Sequence, residues 1–568
     1  MNGILWRLWL HLAPRRRRQF YLLLLLVFIA SLAEMLSIGA VLPFLGVLAA
    51  PERWYGMPAA RPLIQALGLT SPDQLVLPFT LLFCLAAIGA GVTRLTLLWA
   101  TTRISFGAGA DLSIDIYRRT LYQPYAVHVA RNSSEIISGI VHKTSTVIHG
   151  AFLPVMTLLG STMLIVSFVG TLMAIDLVTA LSALFGFGLL YAVVSGATQR
   201  RLERNSEQIA MRQTEVMKCL QEGLGGIRDV LIDGSQQVYC EIYRRADQSS
   251  RRAEGSNSFI IQSPKFAMEA IGMVLIAALA WTFRQAPGGL ASSIPVLGAL
   301  ALGAQRLLPA LQQAYLGWSS LIGSEASVRD TLRLLDQPLP EHAEGPNPEP
   351  IRFDQSVELR DLGFRYSPDE PWVLRHVDLR IPRGARVGFK GVTGSGKSTL
   401  IDIIMGLLEP TEGVLLVDGQ PITSANRRAW QVRIAHVPQS IYLADSTIAE
   451  NIAFGIPGDR IEMTRVREAA GQARIADDIE SWSKQYETRV GERGVRLSGG
   501  QRQRIGIARA LYKQASVIIL DEATSALDGD TERTVMESID GLGGELTLLI
   551  IAHRLTTLSN CDQIVEVA

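Results

Sequence analysis

Six membrane-spanning helices followed by a soluble α/β P-loop domain is the fold that the sequence predicts, and three observations predict it. Apolar runs of membrane length recur from Gln19 to about Trp318 and then stop. Arginines and lysines collect in alternate loops between those runs. From Asp336 onward the chain reads as a soluble α/β protein with one glycine-rich stretch, GVTGSGKS, at Gly391 to Ser398. With 568 residues the chain exceeds one ordinary domain. The expected division is a membrane domain over 1–330, a linker over 331–355 and a nucleotide-binding domain over 356–568. A formal net charge of +1 gives no bulk attraction to nucleic acid. Cys84, Cys219, Cys240 and Cys561 lie far apart, without metal-ligand spacing, and read as reduced thiols.

The N-terminal RRRRQFYLLLLLVFIASLA has the look of a secretory leader, but its apolar run continues to about Ala50. An uncleaved first span fits better. The six spans fall near 20–48, 75–101, 151–174, 177–197, 266–284 and 291–318. Arg15 to Arg18, the group from Arg103 to Lys143 and the group from Arg200 to Arg252 mark one side. Only Arg53, Arg61 and Arg284 mark the other, so both termini are expected in the cytosol of an inner-membrane protein. The two basic loops are too long for plain surface loops, and helical periodicity flanks a central break in each. They predict helical hairpins that turn near LYQPYAVHVARNSSE and LGGIRDVLIDGSQ. In the external loop, Trp54 and Tyr55 suit a headgroup belt, and Pro62 opens a short amphipathic segment that Gly68 closes. Lipid contact and simple loop closure both fit that segment.

In the soluble half, Gly391, Thr393, Gly394, Ser395, Gly396, Lys397, Ser398 and Thr399 form a loop that follows an apolar strand and opens a helix. Glycines let backbone N–H groups turn inward around phosphates at a helix N-terminus. Lys397 adds a point charge for the β- and γ-phosphates, and Ser398 offers a hydroxyl to Mg²⁺. VIILDE is a buried strand ending at Asp521, suited to the metal shell, with Glu522 next to it as a proton acceptor for attacking water. Ser498, Gly499, Gly500 and Gln501, within LSGGQRQR, make a second phosphate-facing helix N-terminus. His553 ends a late strand in IAHR.

These motifs, in this order and spacing, resemble the ATPase domain of ATP-binding-cassette transporters from about Val357 to Val567. With six spans ahead of it, the chain is similar to a half-transporter of the type IV exporter class. The resemblance implies ATP and Mg²⁺ as ligands, with hydrolysis coupled to transport. It implies that Tyr366 stacks on adenine, although core packing is an alternative that Phe364 would serve better. It implies that Gln439 senses metal and water, that Asp521 and Ser398 hold the metal, and that His553 grips the γ-phosphate. Thr488 to Gly494 resembles the segment through which exporters touch cytosolic loops, and Asp528 the loop joining the two sites. The chain ends at IVEVA, before the terminal strand and turn that the family leads one to expect. Because the P-loop of one cassette meets LSGGQ of another in this family, a C₂ homodimer is implied.

Few charges interrupt the spans: Glu34, Arg94, Lys265, Glu269 and Arg306. From Leu75, Arg94 stands about 28 Å along its helix, and from Ala291, Arg306 stands about 22 Å along. Lys265 opens its span at the basic side. Snorkelling to headgroups explains any one of the three. Together they predict a cationic patch for an anionic lipid headgroup, with Glu34 and Glu269 as counter-ions. SLAEMLSIGAVLPFL, GVTRLTLL, SPKFAMEAIGM and AQRLLPALQQAY resemble the membrane half of bacterial lipid-linked oligosaccharide flippases of protein N-glycosylation. That implies a polyprenyl-diphosphate-linked oligosaccharide as cargo, although Lys265 stands where an arginine is expected. A lipid A-type or multidrug exporter and an ATP-gated regulator without transport are the alternatives.

Overall fold

The computed structural model describes residues 2–57, 64–65, 68–175, 177–284, 307–340, 343, 348–522, 529–540, 546–552 and 558–567. Its contacts divide the chain into two units, Met1–Gln123 with Arg131–Leu339, and Pro124–Ala130 with Pro340–Ala568.

The first unit is helical throughout its described length. In chain order the helices are α1 (Asn2–His11), α2 (Pro14–Gly39), α3 (Val41–Ala49) and α4 (Val76–Leu121). After α5 (Tyr125–Ala130), which belongs to the other unit, come α6 (Leu153–Ile175), α7 (Leu177–Gly225), α8 (Ile227–Ile232), α9 (Gln236–Arg284) and α10 (Glu325–Leu335). Predicted spans 20–48, 75–101, 151–174, 177–197 and 266–284 fall on helices. The sixth lies partly outside the described residues, which resume with a helix over 307–323. Among the described residues, three stretches are apolar and long enough to cross a membrane: Pro14–Ser37, Pro72–Leu121 and Ser133–Ser167.

Helices α4, α7 and α9 have 46, 49 and 49 residues. At 1.5 Å per residue each is about 70 Å long, more than twice the roughly 30 Å of hydrocarbon. Their polar halves therefore continue beyond the apolar spans as the predicted hairpins. The short helices α5 and α8 sit at the predicted turning points. At one end of the bundle, Leu8, Phe20, Leu112, Ile116, Leu332 and Leu335 bury one another. A Cβ on Gly109 would lie 2.3 Å from Ile148 Cδ1, so α4 approaches its neighbour closely only without a side chain there. Lys143 is buried, and its ammonium bonds Asp330 of α10 at 2.6 Å. The packing is thereby pinned by a charge pair whose buried lysine cannot be left unmatched without cost.

The second unit contains two sheets. Strands β1 (Ser356–Phe364), β2 (Leu374–Pro382), β4 (Glu412–Val417) and β5 (Gln420–Pro421) form an antiparallel sheet in the order β2-β1-β4-β5. Strands β3 (Arg386–Lys390), β6 (Ile434–Val437), β7 (Val517–Asp521), β8 (Thr547–Ile551) and β9 (Gln563–Glu566) form a parallel sheet in the order β6-β7-β8-β3-β9. Strands β7 and β8 are apolar almost without alternation, as strands buried on both faces must be. Around them pack α11 (Lys397–Ile404) and α12 (Gly499–Tyr512). This is the α/β P-loop fold that the sequence predicts.

Candidate nucleotide site and membrane cavities

Parallel strands end on one edge, and that edge carries the chemistry. From β3 the chain turns through Gly391–Gly396 into α11. A Cβ on Gly391 would lie 2.3 Å from the Val567 carbonyl oxygen, and Gly394 and Gly396 adopt φ of +88° and +93°. The loop thus needs glycine both for space and for left-handed backbone. No side chain caps the start of α11, which leaves its first-turn N–H groups for a ligand. The Lys397 ammonium donates to the carbonyls of Gly391 and Val392, at 2.8 Å each. Ser395 Oγ is buried without a hydrogen-bond partner. Thr399 Oγ1 lies 3.1 Å from the Tyr366 hydroxyl. Tyr366 is exposed, whereas Phe364 is buried and meets its ring edge-on at 5.0 Å.

Strand β8 separates β7 from β3, so Asp521 ends two strands away from the P-loop on the same edge. Burial, and then the neighbouring Glu522, raises the Asp521 carboxyl above its usual range, while Lys397 opposes that shift. Glu522 follows with φ +48°, a conformation a side chain adopts only under local strain. Gln439 Nε2 donates to Glu522 Oε2 at 2.6 Å. The expected metal ligands are therefore oxygen donors of the kind a hard divalent cation takes: the Ser398 hydroxyl, the Gln439 amide and the Asp521 carboxylate. His553 and Asp528 lie outside the described residues.

At the LSGGQ segment, Ser498 caps α12. Its hydroxyl accepts from Gln501 N at 3.2 Å, and Gln501 Oε1 accepts from Ser498 N at 3.0 Å. This capping box fixes the serine oxygen while its proton stays available to donate. The Thr488 to Gly494 segment is tied down by Ile448 N to Thr488 O and Val490 N to Ser446 O. It turns through positive φ at Gly491, Arg493 and Gly494.

In the membrane unit, Arg94 pairs with Glu34, and both line a mainly apolar cavity of about 680 Å³. The Glu34 side chain is 14% exposed and that of Arg94 66%, so the guanidinium is the accessible member. Lys265 lines a second cavity of about 780 Å³, with hydroxyl and amide side chains, His149 and Glu254. Arg94 and Lys265 thus line two cavities that share Gln313. Arg306 lies outside the described residues, as does most of the Pro62–Leu67 segment. Trp54 meets Phe79 edge-on at 6.3 Å, and the Tyr55 hydroxyl donates to Leu69 O.

Two residues at the nucleotide edge escape sequence reasoning. Asp402, on α11, is pushed up to about 6 by burial and by Asp521. Its signal was a lone carboxylate in the apolar run TLIDIIMGLL. Tyr125, on α5, is raised by burial and then by the charges of Asp402 and Tyr366, and its segment Pro124–Ala130 groups with the nucleotide-binding unit. Nothing local in LYQPYAV announces that grouping.

Two family descriptions match the chain: "ABC transporter transmembrane region" over residues 20–283 and "ABC transporter" over residues 374–525. An ATP-dependent lipid A-core flippase of Chromohalobacter salexigens is 31% identical over 511 residues, covering 88% of this chain and 85% of that one. The flippase of the same name from Alkalilimnicola ehrlichii is 33% identical over 389 residues, covering 67% of this chain and 64% of that one. Among solved structures, a bacterial Atm1-family ABC exporter with ATP bound matches with a TM-score of 0.80 at 24% identity, covering 97% of this chain and 93% of that one. The fold, the order of the motifs and these matches agree: the chain belongs to the ABC transporters, as an exporter-type polypeptide with a membrane region fused to an ATP-hydrolysing domain.

Proposed function

We propose that the protein is a homodimeric flippase that uses ATP to move a phosphorylated glycolipid of the lipid A type from the cytosolic to the outer leaflet. The observation that carries this reading is Arg94, the more exposed member of an ion pair with Glu34 in a mainly apolar cavity. An anionic headgroup can replace Glu34 as its partner, because arginine grips phosphate through two N–H groups. The apolar wall suits the lipid beside that headgroup. The name shared by the relatives supports lipid A over the polyprenyl-diphosphate oligosaccharide expected from the sequence.

At the nucleotide edge, the α11 amides and Lys397 hold the β- and γ-phosphates, and Tyr366 takes the adenine face. Ser398, Gln439 and Asp521 would hold Mg²⁺, which would neutralise phosphate charge. Gln439 orients Glu522, whose carboxylate accepts the proton of the attacking water. His553 is assigned to the γ-phosphate. Ser498 and the first amides of α12 complete the site of the partner subunit. Nucleotide binding favours the closed pair because its contacts span both subunits, and hydrolysis removes that preference.

The test is ATPase activity of the full-length protein in nanodiscs. Lipid A should stimulate turnover, with the increment lost in Arg94→Gln. A polyprenyl-diphosphate sugar stimulating in place of lipid A restores the sequence-based cargo. Equal stimulation by unrelated amphiphilic drugs indicates a multidrug exporter, and turnover without lipid movement in liposomes indicates a regulator.

A further inference from the structure

We infer that the stem formed by α7 and α9 carries a binding site for the anionic saccharide portion of a glycolipid cargo, centred on Arg201 and Arg252. This deepens the cargo reading above and rests on it. Between the two helices lies a cavity of about 430 Å³, to which Arg201, Arg245 and Arg252 contribute guanidinium groups. Asn205, Gln208 and Ser249 add amides and a hydroxyl. No carboxylate lines it among the described residues, and of the three arginines only Arg245 has an ion pair, to Glu241. Nearby Arg251 is already engaged by Asp247 and Glu254. Three guanidinium groups, otherwise flanked by neutral polar side chains, suit phosphate or carboxylate on a hydroxyl-rich scaffold. Arginine supplies planar two-point donation to the anion, while amides and hydroxyls both donate to and accept from sugar hydroxyls.

Depth narrows the ligand further. Asn205 Nδ2 bonds Asn257 Oδ1 at 2.8 Å, which sets the two helices level. Both asparagines stand about 12–14 Å along their helices from the ends of the predicted apolar spans at 197 and 266. The headgroup layer occupies only about 5–8 Å on each side of the hydrocarbon. Arg252 lies farther out still. Arg201, about 6 Å past the end of its span, is within reach of a phosphate attached next to the acyl chains, but Arg252, about 21 Å past the end of its own, is not. An anionic sugar carried one or two residues farther from the lipid reaches both. Arg94 and the stem cavity would then engage the same cargo at two points, which raises affinity without strengthening either contact.

Binding to the full-length protein in nanodiscs, without nucleotide, tests this with two probes: lipid A bearing a core saccharide with anionic sugars, and the same lipid A without the core. The wild type should bind the core-bearing probe at least about tenfold more tightly, the worth of one charge-assisted hydrogen-bond pair. Arg201→Gln combined with Arg252→Gln should abolish that ratio, and lysine at both positions should restore part of it. Unchanged basal ATPase activity would show that the double variant is folded. Arg94→Gln should weaken both probes equally; if it weakens neither, the cargo reading fails, while the stem site is judged by the ratio alone. An unchanged ratio in the glutamine variant overturns the stem site. So does inorganic phosphate that binds the wild type, is lost in the variant and leaves the ratio untouched, because the cavity would then take a free anion.

Discussion

At the scale of the residue, the nucleotide edge is an arrangement of crowded carboxylates. Glu522 sits in strained backbone, receives the Gln439 amide and stands next to the half-buried Asp521. Glu522→Gln should lower ATP turnover by about 10²–10⁴-fold while nucleotide affinity is kept, measured by steady-state hydrolysis and by binding of a fluorescent nucleotide. Asp402 gives a prediction about pH. Its folded value of about 6 lies above the ordinary 3.8, so the folded protein holds this proton more tightly than the unfolded chain does. Stability from this group is therefore fully present below about pH 4 and is lost as the pH rises to about 6. Asp402→Asn should stabilise the nucleotide-free protein by about 1 kcal/mol above pH 6, after discounting for partial exposure, and the gain should shrink towards pH 4. Thermal unfolding of the detergent-solubilised protein at several pH values checks this. The P-loop, LSGGQ and the carboxylate pair were legible because each chemistry demands particular residues at fixed spacing. Asp402 was not, because its shift comes from burial and then from Asp521, more than a hundred residues away, both matters of tertiary packing.

At the scale of the element, α5 is the segment whose partners sequence could not supply. The break near Pro124 and the helical flanks were readable, since proline and periodicity are local signals. Its grouping with the nucleotide-binding unit depends on tertiary packing. Tyr125→Ala should leave basal hydrolysis close to wild type and reduce stimulation by lipid about fivefold, the effect of losing about 1 kcal/mol of coupling. Stimulation that survives in Tyr125→Ala would exclude Tyr125 from the coupling path. Helix α12 makes a second element-scale prediction. Ser498→Ala removes the capping hydroxyl and should cost about 1 kcal/mol of stability as well as ATPase activity. Ser498→Asp keeps the cap but places a negative charge towards phosphate. It should retain stability and lose activity, which thermal unfolding and hydrolysis measured together would separate.

At the scale of the molecule, the spans were visible because about 20 apolar residues announce themselves, and their polar extensions followed from the long basic loops. The cavities were not visible, because which faces of which helices converge is a matter of packing. The sequence groups Arg94 with Lys265 and Arg306 by depth, and in the packed helices Arg94 and Lys265 line two cavities that share Gln313. Glu34, read from the sequence only as a counter-ion, is the ion-pair partner of Arg94. On the proposed reading, a charged headgroup exchanges with such an internal partner as it moves, since the apolar region would otherwise exclude it.

The most direct measurement of that claim is ATP-dependent movement of a phosphorylated glycolipid between leaflets of proteoliposomes by wild type, Glu522→Gln and Arg94→Gln. The wild type should move the lipid. Glu522→Gln should stop movement by stopping hydrolysis, and Arg94→Gln should slow it by about tenfold or more while basal hydrolysis continues. Movement at the wild-type rate in Arg94→Gln would contradict the account, because the cargo would then cross without the cation assigned to hold it.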